Sequence, residues 1–214
     1  FTDKSPFTTL EQLADARAKV KPSGKNYMVY YAERLHQEAG FHAGEMIKDG
    51  IIGDVVQVLI MAPHRLSKDK RPDWFFEKDK YGGILTDIGS HQFEQFLTYA
   101  GASDATVNSA RVENFASPDK PGLEDFGEAS LTADTGASCY CRVDWFTPDG
   151  LSFWGDGRVF VVGKKGTMEV RKYCDVTRGG SDKIFLVDGE GEKLIECKDQ
   201  VAFPFFGQLI EDCL

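Results

Sequence analysis

Phe126-Gly-Glu-Ala-Ser-Leu-Thr-Ala-Asp-Thr-Gly-Ala-Ser-Cys-Tyr-Cys-Arg-Val-Asp-Trp-Phe146 is the stretch on which the fold turns. Two runs of period-two character, Phe126–Ala133 and Ser138–Phe146, flank the turn signal Asp134-Thr135-Gly136. Successive side chains of a strand point to opposite faces, so this pattern reads as two strands joined by a tight turn. Cys139 and Cys141 then share one face. The same alternation extends outward to Ala105–Phe115, Arg158–Val162, Thr167–Arg171, Lys183–Val187 and Lys193–Cys197. Turn formers separate these runs: Ser117-Pro118, Pro148-Asp149-Gly150, Gly163-Lys164-Lys165-Gly166 and Asp188-Gly189-Glu190-Gly191. A large, mostly antiparallel sheet is expected.

Upstream of Gly101 the pattern is different. Thr9-Leu10-Glu11-Gln12 has the form of a capping box and opens a helix through Val20, stopped by Pro22-Ser23-Gly24. Asn26 to Ala32 reads as a buried strand, Gln37 to Asp49 as a helix, Asp54 to Ala62 as a second strand, and Ile84 to Ala100 as a helix. Pro63 to Tyr81 is long and polar, and loops of that length are usually functional. An α/β beginning, helices for one face and a large sheet together define an α+β class.

The net charge of −9 and the absence of a Lys/Arg run argue against nucleic acid as a partner, because phosphate binding needs clustered positive charge. No window approaches the roughly 20 apolar residues of a membrane span. The five cysteines are odd in number and lack the spacing of a metal site, so small buried hydrophobes in a reducing compartment, and no bound metal, are expected. A cytoplasmic location is the matching expectation; neither end reads as a natural terminus, so the absence of a leader at Phe1 says little about it.

The chemistry-bearing segment is Gly82-Gly83-Ile84-Leu85-Thr86-Asp87-Ile88-Gly89-Ser90-His91. On a helix, Asp87 and His91 stand one turn apart on one face. Histidine moves protons near neutral pH, and a carboxylate one turn away can orient it. Gly89 would leave that face open to a ligand. On spacing alone, a surface helix with an incidental Asp–His pair is the favoured reading.

This segment, preceded by Pro72-Asp73-Trp74, resembles the signature of the glucose–fructose oxidoreductase / inositol dehydrogenase / MocA family. Asp3-Lys4-Ser5-Pro6, Val29-Tyr30-Tyr31-Ala32-Glu33-Arg34, Lys48 to Val55 and Gly163 to Thr167 agree with it in order and spacing. The resemblance implies an NAD- or NADP-dependent oxidoreductase acting on a secondary alcohol of a sugar or polyol. It places the catalytic roles on Lys4, Asp87 and His91, with Lys4 also touching the cofactor and Asp87 holding the imidazole. Arg34, His64, Arg65 and Trp74 become candidate substrate contacts. Glu33 stands where the family has the first Arg of a pair, which argues against a substrate with several negative groups. Trp145 and Trp154 are expected to serve packing.

The resemblance also implies that residues 1–32 are the end of a dinucleotide-binding domain. Residues 33–214 would form a substrate-binding and oligomerisation domain truncated at its C-terminus, pairing into a homodimer or homotetramer through the sheet. No Gly-x-Gly-x-x-Gly turn occurs in the sequence, so the chain alone is expected to be inactive. Two other readings compete: a nicotinamide-dependent glycoside hydrolase of the same superfamily, and a non-catalytic dimerisation or sugar-sensing module.

Overall fold

A computed structural model describes residues 1–214. Its first strand, β1 (Thr2–Asp3), lies parallel to β2 (Val29–Tyr30), and the helix α1 (Leu10–Ser23) connects them. Thr9 caps α1 by accepting from the Gln12 amide at 3.2 Å, while Gln12 Oε1 accepts from the Thr8 amide at 2.8 Å. Gly24, at φ 64°, ends the helix three residues beyond the expected stop, with Pro22 inside its last turn. No residue of α1 is buried.

The strand expected over Asn26–Ala32 shrinks to two residues. Its only ladder partner is β1, equally short, so the remaining backbone has nothing to pair with. The chain turns at Tyr31 into α2 (Ala32–Leu35) and then α3 (Glu38–Lys48), whose first turn is capped by Gln37 Oε1 on the Gly40 amide at 2.6 Å. The strand β3 (Val55–Pro63) follows. The polar stretch after it is more ordered than its composition implies. Two 3₁₀ turns, Lys68–Lys70 and Asp73–Phe76, lead to α4 (Lys78–Tyr81). Phe75, Phe76 and Tyr81 anchor this segment by burial with Ile84, Leu123 and Trp145.

The helix expected from Ile84 to Ala100 is broken at Ile88 into α5 (Ile84–Asp87) and α6 (Gly89–Tyr99). At the break the His91 amide donates to Ile88 O at 3.1 Å, one residue short of the α-helical register. Seven strands complete the domain: β4 (Ala105–Glu113), β5 (Phe126–Ala133), β6 (Ser138–Asp144), β7 (Arg158–Gly163), β8 (Gly166–Arg171), β9 (Lys183–Asp188) and β10 (Gly191–Glu196). A last helix, α7 (Phe205–Glu211), sets Phe205 and Phe206 about the Tyr30 ring at 5.0 and 5.3 Å.

The eight-stranded sheet runs β10-β9-β8-β7-β3-β6-β5-β4 and is antiparallel except where β3 meets β6. That parallel pair brings the ends of β3 and β6, at Pro63 and Asp144, to one edge of the molecule. The α+β class and the mixed, mostly antiparallel sheet are as expected. Val58, Ile60, Cys139, Cys141, Val159, Val161, Met168 and Val170 form the inward face and pack with Ala39, Ala43 and Phe96 of α3 and α6. Full burial of each large apolar side chain contributes roughly 1.5–3 kcal/mol. Four cysteines are buried, as expected, but Cys213 is exposed. No helix is long and apolar enough to cross a membrane.

Candidate active site

A cavity of about 610 Å³ opens where β1, α2, the end of β3 and the α5–α6 break converge. Lys4, His64, Arg65, Arg71, Asp87 and His91 line it, with an aromatic wall of Trp145, Trp154 and Tyr173. The β3–β6 pairing explains part of this grouping, since His64 and Trp145 each follow one of two strands that end together.

Gly82 and Gly83 set the entry to α5, with φ of 85° and 88°. A Cβ on Gly83 would lie 2.5 Å from Glu124 Oε2, the oxygen that accepts the Ile84 amide at 2.9 Å. The glycine doublet is therefore required by backbone conformation and by the carboxylate that caps the helix. The break at Ile88 has a local consequence: it takes the Asp87 carbonyl out of the helical ladder. That oxygen accepts instead from Ser90 Oγ at 3.0 Å and Lys4 Nζ at 3.1 Å. Lys4 Nζ also bonds the Asp87 carboxylate, so one aspartate holds the ammonium through both main chain and side chain.

His91 is 6% exposed, and its Nδ1 is buried without a hydrogen-bond partner. Burial pushes its pKa down to about 4, Glu33 opposes this, and Lys4 and Lys172 add to the depression. The ring is neutral at physiological pH. Asp87 does not orient it, because the carboxylate turns to Lys4; this corrects the role expected for Asp87. Nor does Gly89 open a face to ligand, since a Cβ there would meet Phe93 at 3.4 Å and Leu85 at 3.5 Å.

Behind His91 lies a buried polar network. Glu33 Oε2 accepts from Lys172 Nζ at 2.7 Å and Gln92 Nε2 at 3.1 Å. Lys172, fully buried, also donates to Gln95 Oε1 at 3.2 Å. His64 Nε2 stands 3.1 Å from Glu33 Oε1, and its Nδ1 is 3.1 Å from Ala62 O. Burial raises the cost of ionising Glu33, but Lys172 and His64 outweigh it and hold the carboxyl well below the usual range. Glu33 therefore adds no uncompensated negative charge to the cavity.

Of the seven residues singled out from the sequence, the fold brings Lys4, His64, Arg65, Asp87 and His91 to this cavity. It does not bring Arg34 or Trp74. Arg34 Nε donates to both Glu94 oxygens at 2.8 and 3.0 Å, tying α2 to α6. Trp74 is 49% exposed and stands edge-on to Phe75, outside the cavity. Arg65 is spent on the carbonyls of Pro148 and Leu151, at 2.9 and 2.6 Å. Trp154, expected only to pack, lines the cavity beside His64, with ring centroids 4.4 Å apart. Sequence reading missed Lys172, Gln92, Gln95 and Arg71. The two glutamines left a trace, falling with Ile88 and Tyr99 on one face of a helix; Lys172, at the end of β8, left none. No three His, Cys, Asp or Glu side chains cluster as metal ligands.

The mixed, mostly antiparallel sheet with its helices is a fold found in solved structures of oxidoreductases. Residues 42–169 match the GFO/IDH/MocA C-terminal domain, and the chain belongs to that family. A crystal structure from Erwinia carotovora atroseptica SCRI1043, provisionally named an oxidoreductase, is 46% identical over all of this chain, with a TM-score of 0.96. The chain spans 64% of that protein's length. Aldose-aldose oxidoreductase from Caulobacter crescentus, complexed with glycerol, is 22% identical and matches 98% of this chain and 59% of its own, with a TM-score of 0.75. Levoglucosan dehydrogenase, in complex with NADH and levoglucosan, is 18% identical over 91% of this chain and 53% of its own, with a TM-score of 0.73. No curated protein sequence is similar enough to add to these likenesses.

Proposed function

We propose that the chain carries the substrate side of an NAD- or NADP-dependent dehydrogenase that oxidises a secondary alcohol of a sugar or polyol. The observation that carries this reading is the convergence of a neutral His91 and a carboxylate-held Lys4 on one cavity. A neutral imidazole is the form that accepts a proton. With Nδ1 buried, Nε2 is the nitrogen left for a substrate hydroxyl. Lys4 donates to the same hydroxyl oxygen and favours the alkoxide as the proton leaves, while Asp87 fixes the ammonium in place. His64 and Trp154 supply the polar and aromatic contacts that a polyhydroxylated ligand needs.

A nicotinamide, when bound, supplies the hydride acceptor. Lys4 is the residue of this chain that fits it, because its ammonium lines the cavity next to β1, which belongs to a two-stranded sheet separate from the large one. The sequence contains no Gly-x-Gly-x-x-Gly turn; on this reading the dinucleotide is held mainly by residues other than these 214, and the chain alone is inactive. The relatives named with NADH and sugar-like ligands support the cofactor and substrate class. Residues 1–32 form the edge of the nucleotide-binding part, consistent with a β1–β2 pair separate from the large sheet. Met61, Tyr140, Val162 and Val187 leave an apolar stripe on the outer sheet face, which supports pairing of subunits there.

The test is nicotinamide absorbance across a panel of sugars and polyols with the full-length protein, wild type beside His91→Ala. Turnover falling at least ~100-fold in the variant is expected for loss of a general base. Equal turnover in both would remove His91 from the chemistry. Release of an aryl aglycone without net NADH would favour the hydrolase instead.

A further inference from the structure

Arg71 is the cation of the cavity whose terminal nitrogens nothing in the chain engages. Its Nε donates to Leu66 O at 3.0 Å, which fixes the plane of the guanidinium. The group lies over the Phe75 ring at 4.4 Å and the Trp145 ring at 4.9 Å, seated in the corner that these two edge-to-face rings make. Its terminal nitrogens make no hydrogen bond and no ion pair, yet the residue lines the cavity with Lys4, Asp87 and His91. The other cations there are engaged: Lys4 with Asp87, Arg65 with two carbonyls and Asp149, and Lys172 below with Glu33. Trp145, 7% exposed and lining the same cavity, also buries its indole N–H without an acceptor.

A half-buried guanidinium loses solvation and regains it only through an anion or several acceptors. Arginine's planar fork matches a carboxylate with two parallel hydrogen bonds, and stacking prepays the ordering of the side chain. From this geometry we infer that Arg71 is a specificity residue that reads a carboxylate on the substrate, which is then a monoanionic sugar acid or polyhydroxy acid. The inference rests on the dehydrogenase reading for the position of the reacting hydroxyl, but the anion contact stands apart from it. The expectation from Glu33 agrees with a single negative group, since Arg71 is one receptor and not a pair.

Equilibrium binding separates the two ideas. D-glucuronate and D-glucose are titrated into the full-length protein by calorimetry, for wild type, Arg71→Gln and Arg71→Lys, without turnover. Wild type is expected to favour glucuronate by about 10-fold or more, the scale of a hydrogen bond to a charged group. Arg71→Gln should abolish the preference while leaving glucose binding within about 2-fold, and Arg71→Lys should retain part of it. Equal binding of the two sugars by wild type overturns the inference. So does Arg71→Gln weakening both ligands, or NAD, to the same degree, which marks a structural or cofactor role; matched thermal unfolding of the three proteins excludes simple misfolding. If glucuronate is favoured through Arg71 but no alcohol is oxidised by any means, the dehydrogenase reading fails and the carboxylate receptor remains.

Discussion

Replacing Lys172 by Met keeps the length of the side chain and removes the cation that Glu33 faces. Lys172 is fully buried and Glu33 is 5% exposed, so neither can reach water without opening the domain. Taking one partner from a buried pair costs about 3–5 kcal/mol, because the remaining charge is left uncompensated. That is a large share of the roughly 5–15 kcal/mol that holds a domain folded. Gln92 and His64 still touch the carboxylate, which places the expected loss near the lower end. The pair Lys172→Met with Glu33→Gln removes both charges and should lie within about 1–2 kcal/mol of wild type. Urea unfolding followed by tryptophan fluorescence measures all three proteins, with m-values checked for constancy. Acid should narrow the gap between the single variant and wild type. In wild type the depressed Glu33 pKa contributes stability above the unfolded carboxyl range, lost as pH falls through the folded value; in the variant, burial pushes the carboxyl up, and protonation relieves the penalty. A Lys172→Met loss under about 1 kcal/mol, or a second loss on adding Glu33→Gln, would refute the charge argument.

His91 makes a separate pH prediction. Its folded pKa of about 4 lies below its ordinary value of 6.5, so the unfolded chain binds the extra proton and stability falls as pH drops through that window. Unfolding of His91→Gln should lack this slope, with a difference from wild type approaching about 3 kcal/mol across the window; parallel curves would show that burial does not suppress protonation. Gly83→Ala meets both a φ of 88° and the Glu124 carboxylate, and should cost about 1–3 kcal/mol in thermal unfolding, whereas a neutral result would mean that the loop shifts freely. Tyr140→Glu puts a charge on the outer sheet face, and sedimentation should show assemblies of the full-length protein dissociating; an unchanged oligomer would move the interface elsewhere.

The strand content was legible because period-two alternation is local: Phe126–Ala133 appears in the fold with the boundaries read from the sequence. The order of the sheet was not, since β3 pairs with β6 across about eighty residues and no short-range pattern encodes that contact. The two-residue β2 shows the reverse failure, an apolar run with strand character that finds only a two-residue partner. At the site, spacing gave Asp87 and His91, and the resemblance supplied Lys4, which the fold brings to Asp87 from 83 positions away. The role expected for Asp87 failed because a lysine competes better than an imidazole for a carboxylate whose helix has just broken. Arg34 was misplaced for a related reason: Glu94 on α6 captures it. Lys172 and Arg71 were invisible in role because each is defined by what surrounds it in space, a buried carboxylate bonded to it in one case and no bonded carboxylate in the other.

Lys4 directly follows a strand whose whole ladder is two residues long, while its partner Asp87 is fixed to the sheet domain. The ammonium therefore bridges the β1–β2 pair and the sheet domain, and withdrawing β1 takes Lys4 from the Asp87 carboxylate, which already acts on the Arg71 guanidinium. The docked position of β1 and the availability of Arg71 are thermodynamically linked: whatever seats the strand frees the guanidinium, and an anion held by that guanidinium favours the seated strand to the same extent.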